Sequence, residues 1–500
     1  MTGAPNAERA VDREHTAGAD RSAARGVLAV VVLAAGEGTR MKSATPKVLH
    51  TLGGRSMLGH VLGAASALRP AYTVVVVGHG SERVAEHLAT LDAQARTVLQ
   101  EQRNGSGHAT ALALTAFSER GGFVVVLNGD APLLTADTVQ SLVSDHLDSG
   151  AALTVLTAEV ADPTGLGRIT RAADGSVTGI VEHADADDAQ RQIREVNAGV
   201  YAVDTRLLAA ALDRLSTDNS KGEQYLTDVL GLLVADGHDV RASTAADPMD
   251  TLGCNDLVEL AARRRTFNDR IVTAWMRAGV TIVDPVTTWV DVDVELAPDV
   301  TLLPGTALSG RTTVGAGAEV GPDTTLVDCT VGPGASVVRS HCLSADIGER
   351  ATVGPYTYLR PGTRLGPGAK AGSFVEIKAS DIGAGAKVPH LSYVGDATVG
   401  PGSNIGAATV FVNYDGVAKH RTVVGAHARV GSDTMLIAPV TIGDGAYTAA
   451  GSVITDDVPS GAMGVGRARQ RNIRDWVRRR RPGSPAAEAA ARAEAEDTAG

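Results

Sequence analysis

Aromatic residues are scarce in this 500-residue chain: phenylalanine, tryptophan and tyrosine together make up 3% of it, whereas glycine occurs 57 times. Ordinary globular cores rely on large aromatic side chains. Part of this chain is therefore expected to pack small and aliphatic side chains on a repeating backbone. The length itself exceeds what one core usually holds, so we expect at least two domains.

Cysteine and net positive charge are also lacking. The three cysteines form no C-x-x-C pair, which argues against a disulfide framework or a zinc site and is typical of a reducing compartment. A net charge of −11 argues against general electrostatic binding to nucleic acid or anionic lipid. The chain has no apolar run long enough to span a bilayer, and residues 1–26 do not resemble a signal peptide. We expect a cytoplasmic protein without nucleic-acid or membrane partners, and a disordered extension over residues 1–26.

Residues 27–256 alternate short β-branched runs with amphipathic segments. The runs include TVVVVG (73–78) and FVVVLNGD (123–130). Continuous aliphatic strands between helices predict an α/β domain with a mostly parallel, Rossmann-like sheet covered on both faces. Residues 168–183 predict a hairpin that turns at Asp174-Gly175. Residues 257–279 carry apolar residues at helical spacing and end in Gly279, which predicts one long linker helix.

Aliphatic residues recur every six positions after Val280. They are Ile347, Val353, Leu359, Leu365, Ala371 and Ile377, then Val388 and Val394, Ile405 and Phe411, and Val424, Val430, Leu436 and Ile442. This period predicts a parallel β-helix over residues 280–476, in which each hexapeptide forms one side of a triangular coil. Residues 412–423 interrupt the period and predict a projecting loop. Residues 477–500 are charged and then Ala/Glu-rich, which predicts a disordered tail.

The first strand ends in a glycine loop, Gly36-Glu37-Gly38, that lacks the third glycine of a dinucleotide fingerprint. Arg40 and Lys47 follow it and suit phosphate oxygens near backbone N–H groups. The alternative is a plain βα turn with surface cations. Asp130 ends a strand, where open α/β sheets bind ligands, and a carboxylate beside a triphosphate suits Mg²⁺. A strand-end aspartate is otherwise as often a helix cap.

Several motifs occur in the order known from sugar-1-phosphate nucleotidyltransferases. They are LAAGEGTRM…PKVLH, GSGHA, NGDAPLL, GRITR…VEH and YLTD. They are followed by hexapeptides that contain LRPG, VEIK, PHLSYVGDA, NIGAAT, VNYDG and VGSDT. Together, over roughly residues 27–476, they resemble the family of bifunctional N-acetylglucosamine-1-phosphate uridyltransferases and glucosamine-1-phosphate N-acetyltransferases. The combination of domains is far more diagnostic than any single motif.

The resemblance implies a uridyltransferase domain that uses UTP, N-acetylglucosamine-1-phosphate and Mg²⁺. Arg40 and Lys47 act there on the triphosphate, and Asp130 and Asn255 hold the metal. The implied nucleotide and sugar contacts are Leu33, Ala34, Ala35, Gly36, Lys47, Gln100, Gly105, Ser106, Asn128, Gly129, Asp130, Gly167, Glu182, Asn197 and Asn255. Four positions depart from the family pattern, namely Arg103, Asn104, Ser106 (a threonine in the family) and Asn128.

The resemblance further implies a left-handed β-helix that acetylates glucosamine-1-phosphate with acetyl-CoA. A lone histidine such as His390 is more often a solvated surface residue, but the family makes it the general base, with Glu376 as a possible orienting group. The implied sugar-phosphate contacts are Arg360, Lys378, Tyr393 and Asn404. The implied acetyl-CoA contacts are Ala407, Asn413, Tyr414, Ser432, Ala450 and Arg467, with Lys419 nearby. Ala408 stands where glycine is more usual. Polar residues at similar phases of stacked coils are expected to share one face.

Three alternatives remain from the sequence. A single-function nucleotidyltransferase would use its β-helix only for assembly or regulation, which leaves the His390 group without a role. A glucose-1-phosphate adenylyl- or thymidylyltransferase fits the glycine loop but not the long solenoid. A structural solenoid needs neither Lys47 nor Asp130. The family resemblance also implies a homotrimer, because side chains along a flat coil face do not enclose a ligand alone.

Overall fold

The computed structural model describes residues 27–78 and 81–499. They form two compact units that divide between Gly368 and Ala369. The disorder expected for residues 1–26 lies outside the described residues. The domain boundaries expected near residues 256 and 279 stay predictions.

The first unit begins with an α/β domain. Its strands are β1 (Ala29–Ala34), β2 (Thr51–Leu52), β3 (Arg55–Ser56), β4 (Tyr72–Gly78), β5 (Arg96–Gln100), β6 (Phe123–Asn128), β7 (Leu153–Glu159), β8 (Arg168–Arg171), β9 (Val177–Val181), β10 (Glu195–Asp204) and β11 (Val240–Thr244). Its helices are α1 (Met57–Ser66), α2 (Glu82–Leu91), α3 (Ser106–Leu114), α4 (Ala136–Ser149), α5 (Asp188–Arg191), α6 (Thr205–Leu212) and α7 (Asp228–Ala235). Short 3₁₀ turns span Thr39–Met41, Lys47–Leu49 and Pro248–Thr251.

The main sheet of this domain has the strand order β11-β7-β10-β6-β1-β4-β5. All these neighbours run parallel except β10, which is antiparallel to both β6 and β7. Strands β8 and β9 form the predicted hairpin beside β10. At its turn, Asp174 Oδ1 accepts a hydrogen bond of 2.9 Å from Ser176 N. The mostly parallel sheet and the hairpin are thus confirmed.

Successive residues of the central strand β1 face two different hydrophobic clusters. Ala29 and Val31 pack in one cluster with α3, α6 and α7, whereas Val30 and Val32 pack in the other with α1 and α4. All four side chains are buried. Helices therefore cover the sheet on both faces, which is why its strands are continuously aliphatic instead of alternating in polarity.

The predicted linker helix is α8 (Leu257–Arg277), whose N-terminus is capped by Asp256. The helix is fixed to the first coils of the solenoid by Asn268, which is buried. Its side chain donates to Thr288 O at 2.8 Å and accepts from Val290 N at 3.0 Å. Trp275 is also buried, with 1% of its surface exposed. The side-chain amide of Asn268 thus bonds backbone groups at the edge of the first coil strand, which would otherwise lack a hydrogen-bonding partner.

Residues 281–368 of the first unit form coils whose strands stack in three parallel sheets. The first sheet contains Thr281–Ile282, Thr301–Leu302, Glu319–Val320, Ser336–Val337 and Thr352–Val353. The second contains Trp289–Val290, Ala307–Ser309, Thr325–Val327, His341–Leu343 and Tyr358–Leu359. The third contains Glu295–Leu296, Thr313–Val314, Thr330–Val331, Asp346–Ile347 and Arg364–Leu365.

The second unit contains further coils of the same kind. Its first sheet contains Lys370–Ser373, Lys387–His390, Asn404–Ile405, Arg429–Val430, Tyr447–Thr448 and Met463–Gly464. Its second contains Glu376–Lys378, Tyr393–Gly395, Val410–Val412, Met435–Ile437 and Val453–Ile454. Its third contains Asp381–Ile382, Ala397–Val399, Thr422–Val424 and Val440–Ile442.

The interior of the coils is aliphatic and small, as the six-residue period predicts. Every residue of the predicted inward set is buried, including Ile347, Ile377 and Leu436. Phe411 is the large exception, and it is fully buried as well. The left-handed parallel β-helix is thus confirmed, and its narrow interior accounts for the scarcity of aromatic residues.

The tail after residue 476 differs from the expectation of disorder. The structure has helices α9 (Trp476–Arg480) and α10 (Pro485–Ala499) there, and Arg478 forms an ion pair with Glu494. Alanine and glutamate favour helix, and Ser484 Oγ accepts from Ala487 N at 3.2 Å at the helix start. The composition signalled helix rather than disorder. Among residues 27–78 and 81–499, no helix is both long and apolar enough to cross a membrane.

Ala408 adopts a left-handed backbone conformation with φ of +58°, which explains why glycine is more usual at that position. We predict that Ala408→Gly stabilises the second unit by about 0.5–1 kcal/mol, because glycine has no Cβ penalty there. The measurement is the free energy of unfolding in urea. The matched control is Ala407→Gly, which gains no such relief and is expected to destabilise. A lower stability of Ala408→Gly than of the unaltered chain would contradict the prediction.

Candidate active sites

The glycine loop and the NGD segment meet at one edge of the sheet. Strands β1 and β6 are parallel neighbours, with Leu33 in register with Asn128. Gly129, the first residue after β6, donates from its N to Leu33 O near the end of β1, at 2.9 Å. Parallel register therefore brings residues that lie almost a hundred positions apart to the carboxyl edge, where α/β sheets bind ligands.

Gly38 makes room for Lys47. Its φ is +64°, and a Cβ added to it would lie 2.7 Å from Lys47 Cβ. Both the backbone conformation and the close approach therefore require glycine at this position. The 3₁₀ turn Thr39–Met41 follows directly, so Arg40 and Lys47 belong to the same loop region.

Lys47 lies between two acceptor oxygens from distant segments. Its ammonium forms an ion pair with Asp130 Oδ2 and donates to Asn255 Oδ1 at 3.1 Å. Arg40 Nη2 donates to the same Asn255 oxygen at 2.9 Å. The Lys47 side chain is 12% exposed, so its own two contacts are partly buried, whereas the bond from Arg40 to Asn255 is exposed. The structure thus brings together the four residues expected at the triphosphate and the metal.

Asp130 and Asn255 fit a magnesium ion. Their two oxygens already hold one cation, the Lys47 ammonium, and Mg²⁺ takes oxygen ligands. Within the described part of the chain, no group of three His, Cys, Asp or Glu side chains forms a metal cage. An ion held by Asp130 and Asn255 would therefore complete its shell with water and substrate phosphate, as Mg²⁺ commonly does.

The loop at residues 100–107 is fixed by the YLTD region. Gln100 is buried and donates to Gly105 O at 3.0 Å. Gly105 has φ of +103°, and an added Cβ would lie 2.8 Å from Gln224 N. Ser106 Oγ accepts from Leu226 N at 3.0 Å. The hydroxyl that serine shares with the family threonine therefore has a structural partner.

Arg103, one of the departures from the family pattern, forms an ion pair with Glu37 of the glycine loop. Both side chains are about half exposed, so the pair contributes little stability. It links the loop expected at the triphosphate to the loop expected at uracil. The side chain of Asn128, another departure, lies against Gly199, where an added Cβ would collide with its amide.

Three residues expected at the sugar lie together. A Cβ on Gly167 would be 3.6 Å from both Asn197 Cβ and Glu182 Oε1. Burial raises the pKa of Glu182 above its usual value, against the opposing hydrogen bond from Thr227. That bond, from Thr227 Oγ1 to Glu182 Oε1, is 3.2 Å long.

Sequence reasoning assigned no role to Gln224 or Thr227, although it quoted YLTD as a motif. Thr227 bonds Glu182 and Leu226 bonds Ser106, so this one segment is joined both to the residues expected at the sugar and to those expected at uracil. The available signal was the YLTD tetrapeptide itself, whose last residue, Asp228, begins the helix α7.

In the second unit, four of the expected acetyltransferase residues stack along one edge of the coils, which we call the His390 edge. The edge consists of the corners that contain His390, Ala407, Ser432 and Ala450. Backbone hydrogen bonds join successive corners: Ala408 N to His390 O at 3.3 Å, Asp433 N to Ala407 O at 2.7 Å, and Gly451 N to Ser432 O at 2.8 Å. Arg467 lies beside it, with its Cδ 3.8 Å from a Cβ added to Gly451.

The expectation that the polar residues share one face is wrong. Glu376 and Tyr393 are register partners on one sheet, whereas Asn404 is the register partner of Lys387 on the neighbouring sheet. The two faces meet at the His390 edge. The physical reason is the triangular coil: hexapeptides six residues apart lie on different sides, and only positions about one full coil apart share a side.

Lys378 and Asn413 converge on Asp396, to which sequence reasoning gave no role. Lys378 Nζ lies 3.2 Å from Asp396 Oδ2, and Asn413 Nδ2 donates to the same oxygen at 2.5 Å. Burial tends to raise the pKa of Asp396, but the bonds from Asn413 and Lys378 outweigh it and lower that pKa. The amide of Asn413, expected at acetyl-CoA, therefore holds this carboxylate. Arg360 lies in the first unit, where its carbonyl accepts from Thr363.

The predicted projecting loop joins the strands Val410–Val412 and Thr422–Val424. Asp415 organises it by accepting from Ala418 N at 2.7 Å and from His420 Nε2 at 2.7 Å, and these bonds hold the pKa of Asp415 far below its usual value. Tyr414 OH donates to Gly416 O at 2.7 Å. Val417 at the tip is 92% exposed. The loop is a defined turn with an apolar tip.

The two parts define a class: a nucleotidyltransferase sheet with a cationic loop, joined to a hexapeptide acyltransferase coil. Two known families match these two parts of the chain. The MobA-like NTP transferase domain matches residues 30–224, and the bacterial transferase hexapeptide (six repeats) matches residues 421–456.

Relatives named bifunctional protein GlmU match almost the whole chain. The protein of Streptomyces avermitilis is 59% identical over 467 residues, which cover 92% of this chain and 96% of the relative. Those of Streptomyces coelicolor and Mycobacterium bovis are 60% and 56% identical and cover 92% and 94% of this chain and 96% of each relative. The chain belongs to the GlmU family. It is a bifunctional enzyme of UDP-N-acetylglucosamine synthesis, with uridyltransferase and acetyltransferase activities.

The arrangement around Lys47 predicts that the two activities are separable. Asp130→Asn should abolish uridyl transfer, because it removes the carboxylate that faces Lys47, and should leave acetyl transfer near its normal rate. The two rates are measured separately on the purified chain. The control is Asp148→Asn, which alters an exposed carboxylate on α4. Loss of both activities in a folded Asp130→Asn chain would contradict separate sites.

Proposed function

We propose that each activity is carried by its own set of side chains. The observation that supports this is the convergence of Lys47, Arg40, Asp130 and Asn255 at the carboxyl edge of the sheet, with a second polar group around His390 on the coils. The first set transfers UMP from UTP to N-acetylglucosamine-1-phosphate. The second acetylates glucosamine-1-phosphate, and its product is the substrate of the first.

UTP lies along the carboxyl edge in this proposal. The backbone of Leu33, Ala34, Ala35 and Gly36 faces the nucleotide, Arg40 and Lys47 bind the triphosphate, and Gln100, Gly105 and Ser106 bind uracil. Asn128, Gly129, Gly167, Glu182 and Asn197 bind the sugar. The support is positional: Gln224 and Leu226 bond the uracil segment, and Thr227 bonds Glu182 of the sugar group. The uracil segment is linked to the glycine loop by the ion pair of Arg103 with Glu37.

Uridyl transfer is an in-line displacement. An oxygen of the sugar phosphate forms a bond to the α-phosphorus of UTP, and the bond to the pyrophosphate oxygen breaks. Arg40 and Lys47 neutralise the charge that develops on the phosphate oxygens, so positioning and electrostatics supply most of the rate. Mg²⁺, held by Asp130 and Asn255, would add further neutralisation at these oxygens.

Acetyl transfer requires an unprotonated amine. His390 accepts the proton that the amine of glucosamine-1-phosphate loses as its nitrogen bonds the acetyl carbon, and the CoA sulfur leaves. An imidazole suits this because its ordinary pKa is near neutrality. Arg360 and Lys378 bind the sugar phosphate, with Tyr393 and Asn404 at the sugar. Acetyl-CoA runs along the His390 edge, past Ala407, Ser432 and Ala450 towards Arg467, beside the loop of Asn413 and Tyr414.

The acetyltransferase site needs a second chain in this proposal, and we propose a homotrimer that works in the cytoplasm. Its polar residues lie on two faces that diverge from the His390 edge, so one coil does not surround a ligand. Exposed apolar side chains support a covering partner: Leu391, next to His390, is 61% exposed, and Val417 on the loop is 92% exposed. Closed threefold symmetry would then give three equivalent sites.

Replacing the proposed base should affect chemistry more than binding. We predict that His390→Asn lowers the kcat of acetyl transfer on the order of 10²–10⁴-fold, the usual contribution of a general base, with little change in the affinity for acetyl-CoA. The matched control is His427→Asn, which alters an exposed histidine on another edge of the same coils. An unchanged kcat would contradict the role of His390 as the general base and leave it a solvated surface histidine.

Shared sites should allow complementation between chains. We predict that the chain sediments at three times its mass of 51.2 kDa. If His390→Asn and Tyr414→Ala each impair acetylation, a refolded mixture should recover part of it, because some sites then combine an intact His390 with an intact loop. Mixing His390→Asn with itself is the control. A fully active monomer, or a mixture no better than its components, would contradict the proposal.

A further inference from the structure

The long helix α8 carries an arginine that touches both segments from which the proposed metal ligands come. Arg270 Nη1 donates to Leu133 O at 3.2 Å, three residues after Asp130. Its Nη2 donates to Asp247 Oδ2 at 2.8 Å and lies 2.7 Å from Asp250 Oδ1. Asp247 and Asp250 belong to the turn that leads into Asn255.

Asp250 is the buried centre of this contact. Its side chain is 8% exposed. Its other oxygen, Oδ2, accepts from Thr138 Oγ1 at 2.5 Å and from Thr135 Oγ1 at 3.2 Å, both at the start of α4. A buried carboxylate is costly without such partners. The cluster of Arg270, Asp250 and the two threonines is therefore a connected set of hydrogen bonds around a buried carboxylate and not an isolated surface pair.

The two ligand-bearing segments also touch each other. Cys254 N donates to Asp130 O at 3.0 Å, directly beside Asn255. The bonds from Thr135 and Thr138 to Asp250 join the segments at a second point. The guanidinium of Arg270 adds a third, and its planar fork bonds both segments at once.

We propose that Arg270 is a positioning residue for uridyl transfer: its guanidinium holds the Asp130 and Asn255 segments at the spacing at which their two oxygens bind one cation. The inference rests on the proposed roles of Asp130 and Asn255. Arg270 touches neither of those side chains, so it acts through Leu133, Asp247 and Asp250. The alternative is that Arg270 merely fastens α8 to the α/β domain.

A cleft beside Arg270 provides a specific test. The cleft has a volume of about 610 Å³ and is lined by Arg270, Asp247, Asp250 and, further along α8, Arg277. In Arg270→Ala, added guanidinium ion at millimolar concentration is able to enter from solvent and bond the same three acceptors. A simple fastening role depends on the covalent link to the helix, which free guanidinium does not restore.

The first measurement is uridyl transfer by Arg270→Ala. We expect kcat to fall on the order of 10–10²-fold, the scale of small misplacements in a reacting site, and the Mg²⁺ concentration for half-maximal activity to rise. The KM for N-acetylglucosamine-1-phosphate and the acetylation rate should stay unchanged, and guanidinium should restore part of kcat. Arg270→Lys should be intermediate because an ammonium lacks the fork. The control, Arg277→Ala, removes an exposed arginine from the same helix and cleft and should show neither loss nor rescue.

The second measurement needs no activity. Hydrogen exchange of the ligand-free Arg270→Ala chain should be faster over residues 130–134 and 247–255, with residues 168–181 unchanged. Binding of Mn²⁺ in the presence of UTP, followed by electron paramagnetic resonance, should be weaker for Arg270→Ala than for Arg277→Ala.

Normal kcat and normal exchange, or a loss that spreads to acetylation and is not relieved by guanidinium, would overturn the proposal. Asp130→Asn is run in parallel: if it remains active, the metal assignment itself fails, whereas an inactive Asp130→Asn beside a normal Arg270→Ala refutes the positioning role alone.

Discussion

Parallel register between neighbouring strands is the constraint on which both candidate sites depend. In the α/β domain it places the ends of β1 and β6 side by side, and so brings the loop of Lys47 to Asp130. In the coils it places His390, Ala407, Ser432 and Ala450 at successive corners joined by backbone hydrogen bonds. Neither site contains a pair of neighbours in sequence that performs the chemistry by itself. Each is assembled by strands that run in the same direction and stop at the same level.

The architecture could be predicted from the sequence because the aliphatic strand runs and the six-residue period both follow from backbone geometry. A six-residue period has no explanation in an ordinary helix or strand, and the residues it marks, such as Ile377 and Val388, are all buried. The strand-end position of Asp130 followed from the aliphatic run before it. Asn255 was placed by family resemblance, and the structure brings it within hydrogen-bonding distance of Lys47.

The predictions that failed, and the residues that were missed, depend on information that a linear pattern lacks. The single polar face was wrong because the period counts residues and does not say which side of the triangle each hexapeptide occupies. The disordered tail was inferred from charge and low complexity, although the same alanines and glutamates favour helix. Asp396 and Thr227 were missed because their roles consist of hydrogen bonds to other site residues, Lys378 and Glu182. Such supporting contacts leave no periodic signal.

The helix α8 is more than a spacer within the first unit. Its start is next to Asn255, Arg270 in its middle bonds both segments near the proposed metal ligands, and Asn268 on the same turn bonds the first coils. Asn268 thus contacts the coils and Arg270 contacts the α/β domain from the same helix. Because a helix does not bend appreciably over one turn, the contact that fixes Asn268 on the coils also fixes the register of Arg270 on the α/β domain. The first coils therefore fix the position of the helix that carries Arg270, and through that helix they are connected to the segments of Asp130 and Asn255.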